Sequence, residues 1–464
     1  MVIIPKAFFI TAIAAILIFS MTSVSYQQVQ LLFEDDEGVA VEEEEEEEEE
    51  VEEGEACMEY EAEENTITIN CNSSFLDVVQ AINDPEILEE LEEEGEYLLN
   101  ANLQVSDGVT FAMTSNGDGL QYLKIAGANG IIVHGRIEIS GITITSWDTE
   151  ADSPVSQTET GSVPRAFINL RGSEGGFIQD SEVAYLGYEE PPRRGIDLGE
   201  STEGPSHDFT ISNSRVHANW MGFYSSGAYN ITIDANEFYD NILYAIDPHT
   251  GTHNMTVSNN KVYNNKGIAV ICSLDCYDII LERNEVYNNA RSGLMLSRAT
   301  HDSTIRNNLI YNQYESAYPI SISESQNNEI YGNNISNSTG GISVHNPVEL
   351  DEDGMSSDNR IYNNTFDGVQ NAIRALASSD NTFSNNIFGN VTEFHYILTS
   401  DASMNIENQT FDMTNVRGFS GDNTLSIQNS GTILIDNTMD HDTDLEPYTT
   451  VLSGESMNID SARE

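Results

Sequence analysis

The stretch Tyr244-Ala-Ile-Asp247-Pro248-His249 brings a phenol, a carboxyl and an imidazole together within one short run of chain. Asp247 and His249 are two residues apart, so in an extended strand their side chains leave the same face. Pro248 between them removes a backbone donor and stiffens the chain locally. An acid and an imidazole held rigidly side by side are parts of a proton-transfer device. A bare Asp-Pro-His also fits a turn in which Asp-Pro ends a strand and the ring lies exposed, so the surroundings must decide between the two.

Those surroundings repeat. Asn236, Asn260, Asn284 and Asn308 follow one another at intervals of 24 residues, and Asn334 comes 26 after the last. Each lies in a similar unit, for example His253-Asn-Met-Thr-Val-Ser-Asn-Asn260-Lys-Val-Tyr-Asn and His301-Asp-Ser-Thr-Ile-Arg-Asn-Asn308-Leu-Ile-Tyr-Asn. One residue type at one phase of a short period marks stacked repeats. Units made of such short strands bury their apolar side only by stacking on the next unit. The pattern predicts an all-β fold, a right-handed single-stranded parallel β-helix, with the asparagines as a structural ladder at tight turns. Tyr263 and Tyr287 form a matching aromatic column. Counting 24 back and forward from His249 reaches Ser225, Ser273 and then Ser297, so the imidazole interrupts a column of small hydroxyls. The same count from Asp247 reaches Phe223 and Ile271, so an acid replaces apolar residues.

The rest of the chain frames this solenoid. Residues 1–25 read as a signal peptide or membrane anchor: Lys6 precedes an apolar run from Phe8 to Ile18, and Ser23 and Ser25 have the spacing of a cleavage site. Residues 26–65 read as an acidic linker around the tract Glu42 to Glu50, which cannot pack a core. Residues 66–102 read as an N-terminal cap. It is helical from Ser74 to Leu99, with a break at Asp84-Pro85. The cap covers the open end of the solenoid. The β-helix then spans 103–435, with a lateral loop from Ser146 to Arg165 and an insertion from Asn346 to Asp358, and a polar tail covers 436–464. An extracytoplasmic body, secreted or on the cell surface, favours two local disulfides, Cys57 with Cys71 and Cys272 with Cys276. The cysteine spacing fits no zinc motif, and no metal ligand set is assigned. Asn72, Asn230, Asn254, Asn334, Asn337, Asn363, Asn390 and Asn408 begin glycosylation sequons.

With its phase in Asn-rich coils established, Tyr244-Ala-Ile-Asp-Pro-His resembles the motif Tyr-Gly-[Ile/Phe]-Asp-Pro-His of the mannuronan (alginate) C-5-epimerase family. The resemblance runs over roughly residues 176–345 and includes Asn-Asn-Ala-Arg291-Ser-Gly-Leu-Met-Leu-Ser-Arg298. Ala245 stands where the family has Gly, and Thr250 where it has an acid. The resemblance implies an isomerase that removes the proton alpha to a uronate carboxylate and returns one on the other face. In that reading His249 is the base or acid on one face and Tyr244 serves the opposite face. Asp247 orients His249 or bonds the substrate carboxyl. In one branch of the family an Arg on the next coil neutralises that carboxylate; here the coil is Ala269-Val-Ile-Cys272-Ser-Leu-Asp275-Cys276, without a base. Lys266, Arg291 or Arg298 must substitute, with His253 nearby, and Asp275 corresponds to an acid found on that coil in another branch. The same groups would serve β-elimination, so a polyuronate lyase is one step away.

Charge sets the limits on partners. The formal net charge is −59, which argues against nucleic acid, whose phosphates need clustered Lys and Arg. A polyanionic sugar chain requires a local basic patch, since salt screens the rest beyond about 8–10 Å. No cofactor is required; Ca2+ would fit the acidic loops Glu349–Asp353 and Asp440–Asp444. The expected assembly is a monomer acting on an anionic polysaccharide, tethered to a membrane if the first segment is retained. The competing reading is a non-catalytic β-helix surface protein that binds glycans or metal-associated partners. The deciding feature is whether Tyr244, Asp247, His249 and at least two bases meet on one face.

Overall fold

The structure is a computed structural model. It describes residues 56–313, 318–346 and 356–408, followed by five short strands that end at Asn458. The targeting segment, the acidic tract and both acidic loops proposed for calcium lie outside the described residues.

Each coil is three short strands joined by tight turns. In one coil these are His253–Ser258, Lys261–Tyr263 and Val270–Ser273, each paired in parallel with its counterpart 24 residues on. The inward positions Met255, Val257, Val262, Val270 and Cys272 are all at most 1% exposed. Side chains at alternate positions of a strand meet the core, and the repeat stacks them into continuous apolar columns. Left-handed residues close the turns, among them Asn259, Asn264 and Leu274. Asparagine adopts that conformation more readily than most side chains.

The asparagine ladder is present, with one correction. Asn260 donates its main-chain N–H to Asn284 Oδ1 at 3.0 Å and its side-chain amide to Ile233 O at 2.9 Å and to Asn284 Oδ1 at 3.1 Å. Asn236, Asn284 and Asn308 stand in the same column. Asn308 is followed by Asn333, not Asn334. That coil is one residue longer than its predecessors, and Asn334 instead opens a strand with its side chain exposed. Two further ladders, Asn219-Asn241-Asn265-Asn289 and Asn328-Asn359-Asn381, hold other corners. The 31-residue step from Asn328 to Asn359 absorbs the expected insertion without breaking the ladder.

The ends differ from expectation. β1 (Met58–Glu61), inside the presumed linker, pairs antiparallel with β2 (Thr66–Ile69). β2 already pairs in parallel with Asn102–Val105, so the coils begin at Thr66. Helix α1 covers only Phe75–Ile82, with Ser74 and Asp77 forming a reciprocal N-terminal cap and Asn83 closing it in the left-handed region. Asp84-Pro85 makes a turn, and Leu88–Glu90 and Glu96–Leu99 are strands. The apolar residues expected on a helix face there alternate instead in and out of the core. The predicted long helical cap is therefore an eight-residue helix plus an antiparallel strand, stapled by the disulfide Cys57–Cys71. At the other end, within the presumed polar tail, Tyr448–Val451 and Ser456–Asn458 pair antiparallel onto the last coils. Both ends thus carry strands that run against the solenoid, which satisfies terminal edges.

Cys272 and Cys276 are free and buried, contrary to the expected second disulfide. Cys272 occupies a core column beneath Leu296, and the Cys276 thiol hydrogen bonds to Ser273 O at 3.3 Å. Two left-handed residues, Leu274 and Asp275, turn the chain between them. Each cysteine fills its own core position as a small apolar side chain. Burial pushes the Cys276 thiol up to about 12 and the Cys272 thiol well above its ordinary value. Among the described residues no helix is long and apolar enough to cross a membrane.

Candidate active site

Six strands of one column carry the site and its neighbours: β3 (Ile196–Ser201), β4 (Phe223–Ser226), β5 (Ile246–His249), β6 (Val270–Ser273), β7 (Leu294–Ser297) and β8 (Ile320–Ser323). In β5 the core takes Ile246, fully buried. Asp247 and His249 share the outer face, as their spacing requires. Register modifies the sequence count. His249 pairs with Ser226 and Ser273, and Asp247 pairs with Tyr224. The coil before β5 is one residue short, so the partners are not Ser225 and Phe223. Tyr224 in turn pairs with Asp197. Asp247 therefore continues a polar column rather than interrupting an apolar one on that side.

His249 is fixed by two hydrogen bonds. Its Nδ1 lies 2.6 Å from Thr250 Oγ1, and its Nε2 lies 3.2 Å from Arg298 Nη2. A guanidinium only donates, so Nε2 accepts and the proton sits on Nδ1, donated to Thr250. The ring is neutral. Burial, then Arg298 and Arg194, push its pKa down to about 4. Thr250, in place of the family's acid, thus sets the tautomer without adding charge. Arg298 is itself anchored, donating from Nε and Nη2 to Ser273 Oγ at 2.9 and 2.6 Å. It sits in the left-handed turn after β7, two coils beyond His249, and reaches back along the face. This is the base that the coil 269–276 lacks.

Asp247 is 3% exposed, and its Oδ1 has no hydrogen-bond partner. Burial pushes its pKa up to about 8, against the pull of Arg194 and Arg298. At neutral pH it is chiefly a carboxylic acid, a donor aimed at the outer face. Tyr244 is part-buried and packs against the cluster Trp220, Met221 and Tyr224. Burial and the neighbouring Asp247 raise its hydroxyl pKa, and Arg291 and Arg298 oppose the rise.

The sequence reading missed the other half of the site. Arg194 lies with its guanidinium 4.0 Å above the Tyr224 ring and bonds Asp197 at 3.2 Å, while Arg171 bonds the other Asp197 oxygen at 2.6 Å. Asp197 is fully buried; burial raises its pKa and the two guanidiniums oppose that. The Tyr224 ring lies 5.7 Å from the His249 ring. A signal was available: Arg194-Gly195-Ile196-Asp197 puts a base just before an Ile-Asp pair that echoes Ile246-Asp247. The lateral loop also contributes. Arg165, 1% exposed, donates to the carbonyls of Val155, Leu186, Gly187 and Ala218. This pins the loop so that Gly161 lies against Trp220. A Cβ there would fall 2.7 Å from that ring, and φ is +69°, so only glycine fits.

Three expected residues are elsewhere. His253 stacks between Tyr229 and Tyr277 on the other sheet. Asp275 projects from a turn, largely exposed, with His301 3.6 Å away. Lys266 is exposed at the turn before β6, and only its main chain bonds the neighbouring coil, at Asn241 O. Arg291 acts on Tyr244 through its charge. Two arginines, Arg298 and Arg194, therefore act on both Asp247 and His249, and the deciding feature is met. Among the described residues no group of three or more His, Cys, Asp or Glu is placed to hold a metal ion.

Residues 194–349, which hold all of β3 to β8, match a family described as a right handed beta helix region. The chain is 25% identical over 164 residues to a mannuronan C5-epimerase of Pseudomonas aeruginosa, a stretch that covers 34% of this chain and 30% of that protein. It is 25% identical over 162 residues to the mannuronan C5-epimerase AlgG of Azotobacter vinelandii, covering 33% and 30%. The chain is a right-handed β-helix protein similar to mannuronan C-5-epimerases. The fold likeness extends further than the sequence match. The periplasmic alginate epimerase AlgG superposes with a TM-score of 0.61 at 21% identity, over 81% of this chain and 82% of that one. The A-module of the Azotobacter vinelandii mannuronan C-5 epimerase AlgE6 gives 0.51 at 15% identity, over 67% and 89%.

Proposed function

We propose that this protein is an extracytoplasmic polysaccharide-modifying enzyme that epimerises uronate residues at C-5 in a polymannuronate-like chain. One observation carries the reading: a neutral imidazole, a protonated buried carboxyl and two arginines meet on one rigid strand face beside a part-buried tyrosine. The curated relatives named mannuronan C5-epimerase and the shared β-helix support it.

The C-5 proton of a uronate is very weakly acidic, so the reaction depends on stabilising the charge that develops on its carboxylate. In this reading Arg298 turns from His249 to the incoming carboxylate, which frees Nε2. Arg194 supplies a second positive charge, and protonated Asp247 donates a hydrogen bond to a carboxylate oxygen. His249 Nε2 takes the C-5 proton, and the C–H electron pair spreads onto the carboxylate oxygens. Tyr244 holds its proton in the resting site and delivers it to the opposite face of C-5. His249 and Tyr244 then exchange protons with solvent, and the sugar leaves with inverted C-5. Elimination would use the same first step and then break the bond from C-4 to the linking oxygen.

The test is incubation with polymannuronate in deuterated water, followed by proton NMR. The expected result is deuterium at C-5 with new guluronate signals and no unsaturated ends. Unsaturated ends would identify a lyase, and no change at C-5 would overturn the reading in favour of a glycan-binding surface protein. His249→Ala is expected to abolish exchange while the thermal midpoint barely moves, because the ring lies outside the core.

A further inference from the structure

Farther along the same face lies a second cluster of titratable and cationic side chains. β9 (Asn334–His345) and β10 (Thr365–Leu376) continue the column past β8. The register runs His249, Ser273, Ser297, Ser323, His345 in one file, so a second imidazole stands four coils beyond the first. The adjacent file runs Met295, Ser321, Ser343, Arg374. Tyr318 precedes Ile320 by two residues, as Tyr244 precedes Ile246, and Ile246 and Ile320 occupy the same column. The Arg374 guanidinium lies 5.4 Å from the Tyr318 ring centre. His345 Nδ1 lies 3.3 Å from Ser343 Oγ. Burial, then Arg374, push the His345 pKa down to about 4, so this ring too is neutral. Arg374 Nε is buried without a hydrogen-bond partner, and among the described residues Arg374 forms no ion pair. Arg360, on the other sheet, is by contrast paired with Glu329.

A buried donor on a guanidinium leaves a hydrogen bond unmade, which is costly unless a ligand makes it. A carboxylate is the planar acceptor that fits a guanidinium. Between the two clusters the outer face is floored by hydroxyls: Ser273, Ser297, Ser321 and Ser323. A pyranose chain laid along the helix axis advances by roughly one coil per sugar, so at about 4.8 Å per coil the two imidazoles are about 19 Å, or about four sugars, apart.

We propose that Arg374, with Tyr318 and His345, forms a distal subsite that holds the carboxylate of a uronate about four sugars from the one reacting at His249. The proposal rests on the polyuronate reading above. It makes the protein a reader of chain length: a polymer long enough to span both clusters is held at two carboxylates, and a short one only at the first.

The test is calorimetric titration of the full chain with mannuronate trimers and octamers at fixed salt, beside the C-5 exchange assay. The parent is expected to bind the octamer more tightly than the trimer. Arg374→Gln is expected to lower octamer affinity about tenfold, the worth of one charged hydrogen bond, and Arg374→Lys by less. Arg360→Gln serves as the control and is expected to leave octamer affinity alone. A circular dichroism melt checks that the variants fold; if Arg374→Gln does not, Tyr318→Phe and His345→Ala take its place. Equal octamer affinity in parent and variants, with exchange intact, overturns the distal subsite and leaves the epimerase reading standing. A parent that binds neither length overturns the subsite, and absence of exchange then removes the epimerase reading with it.

Discussion

At the scale of residues the site is defined by two groups whose ordinary charges have been exchanged for neutrality. His249 is neutral because burial and two arginines hold its pKa near 4, and Asp247 is an acid because burial lifts it to about 8. The chemistry needs His249 unprotonated and Asp247 protonated. The pair should therefore give kcat/KM a bell whose acid limb falls near 4 and whose alkaline limb falls near 8, as apparent values of the pair. A pH–rate profile on polymannuronate checks this; an acid limb near the ordinary histidine value of 6.5 would show that Arg298 does not face the ring in the working enzyme. Stability follows with a definite sign. The folded Asp247 carboxyl keeps its proton to about 8 while the unfolded one releases it near 3.8. Between those values the native state binds the extra proton, so Asp247 makes the protein less stable as pH rises through that window. Asp247→Asn is isosteric and does not titrate, so its melting temperature should gain on that of the parent from pH 5 to pH 8. Arg298 has a different signature. Arg298→Gln removes both the lock on His249 and the carboxylate partner; the imidazole pKa should rise toward 6.5, moving the acid limb upward, while KM increases. NMR titration of His249 separates that effect from simple loss of fold.

At the scale of elements the coil was legible because its period is written in buried asparagines, whose amides must bond neighbouring coils to be buried at all. The same logic explains what was not legible. Spacing of 24 residues holds only while every coil has equal length. One coil is a residue short before β5 and one is a residue long before Asn333, so counting assigned Ser225, Phe223 and Asn334 to columns they do not occupy. Arg194 escaped because its coil lies before the regular stretch begins. The helix expected from Ser74 to Leu99 failed because glutamates with interspersed leucines satisfy a helical period and a strand alternation equally over short runs, and pairing with the first coils chose the strand. Cys272 and Cys276 were close in sequence, but each was already committed to a core file. A stability prediction belongs here. Asn260→Ala deletes the acceptor for Asn236 N–H and the donor to Ile233 O, both buried. Orphaning two such groups should cost about 3 kcal/mol. Chemical denaturation of Asn260→Ala against the parent measures it, and a loss within about 0.5 kcal/mol, the scale of a surface change, would mean that the ladder records turn geometry and contributes little itself.

At the scale of the whole molecule, charge and substrate are opposed. A chain of formal net charge −59 is to take hold of a polyanion with a handful of arginines on one face. Those arginines act at contact distance from partly buried positions, where salt screens weakly; the surplus negative charge acts from afar, where salt screens strongly. The two therefore respond to different ranges of ionic strength. At about 10 mM salt the screening length is about 30 Å, so an approaching polymer feels the repulsion of much of the molecule; at about 150 mM it shrinks to about 8 Å and only the arginine-lined face is felt. Near 1 M, at about 3 Å, even the contacts weaken. The expected result is that kcat/KM on long polymannuronate first rises with salt and then falls. Ordinary electrostatic steering gives a monotonic decline instead. The measurement is initial C-5 exchange rate against sodium chloride concentration at constant pH. A decline from the lowest salt onward would mean that the local field of Arg194 and Arg298 dominates at long range as well, and that the acidity of the chain lies too far from the face to oppose binding. A trimer, carrying less charge than the polymer, should show a smaller initial rise, so running both lengths tells long-range repulsion apart from a direct effect of salt on the site.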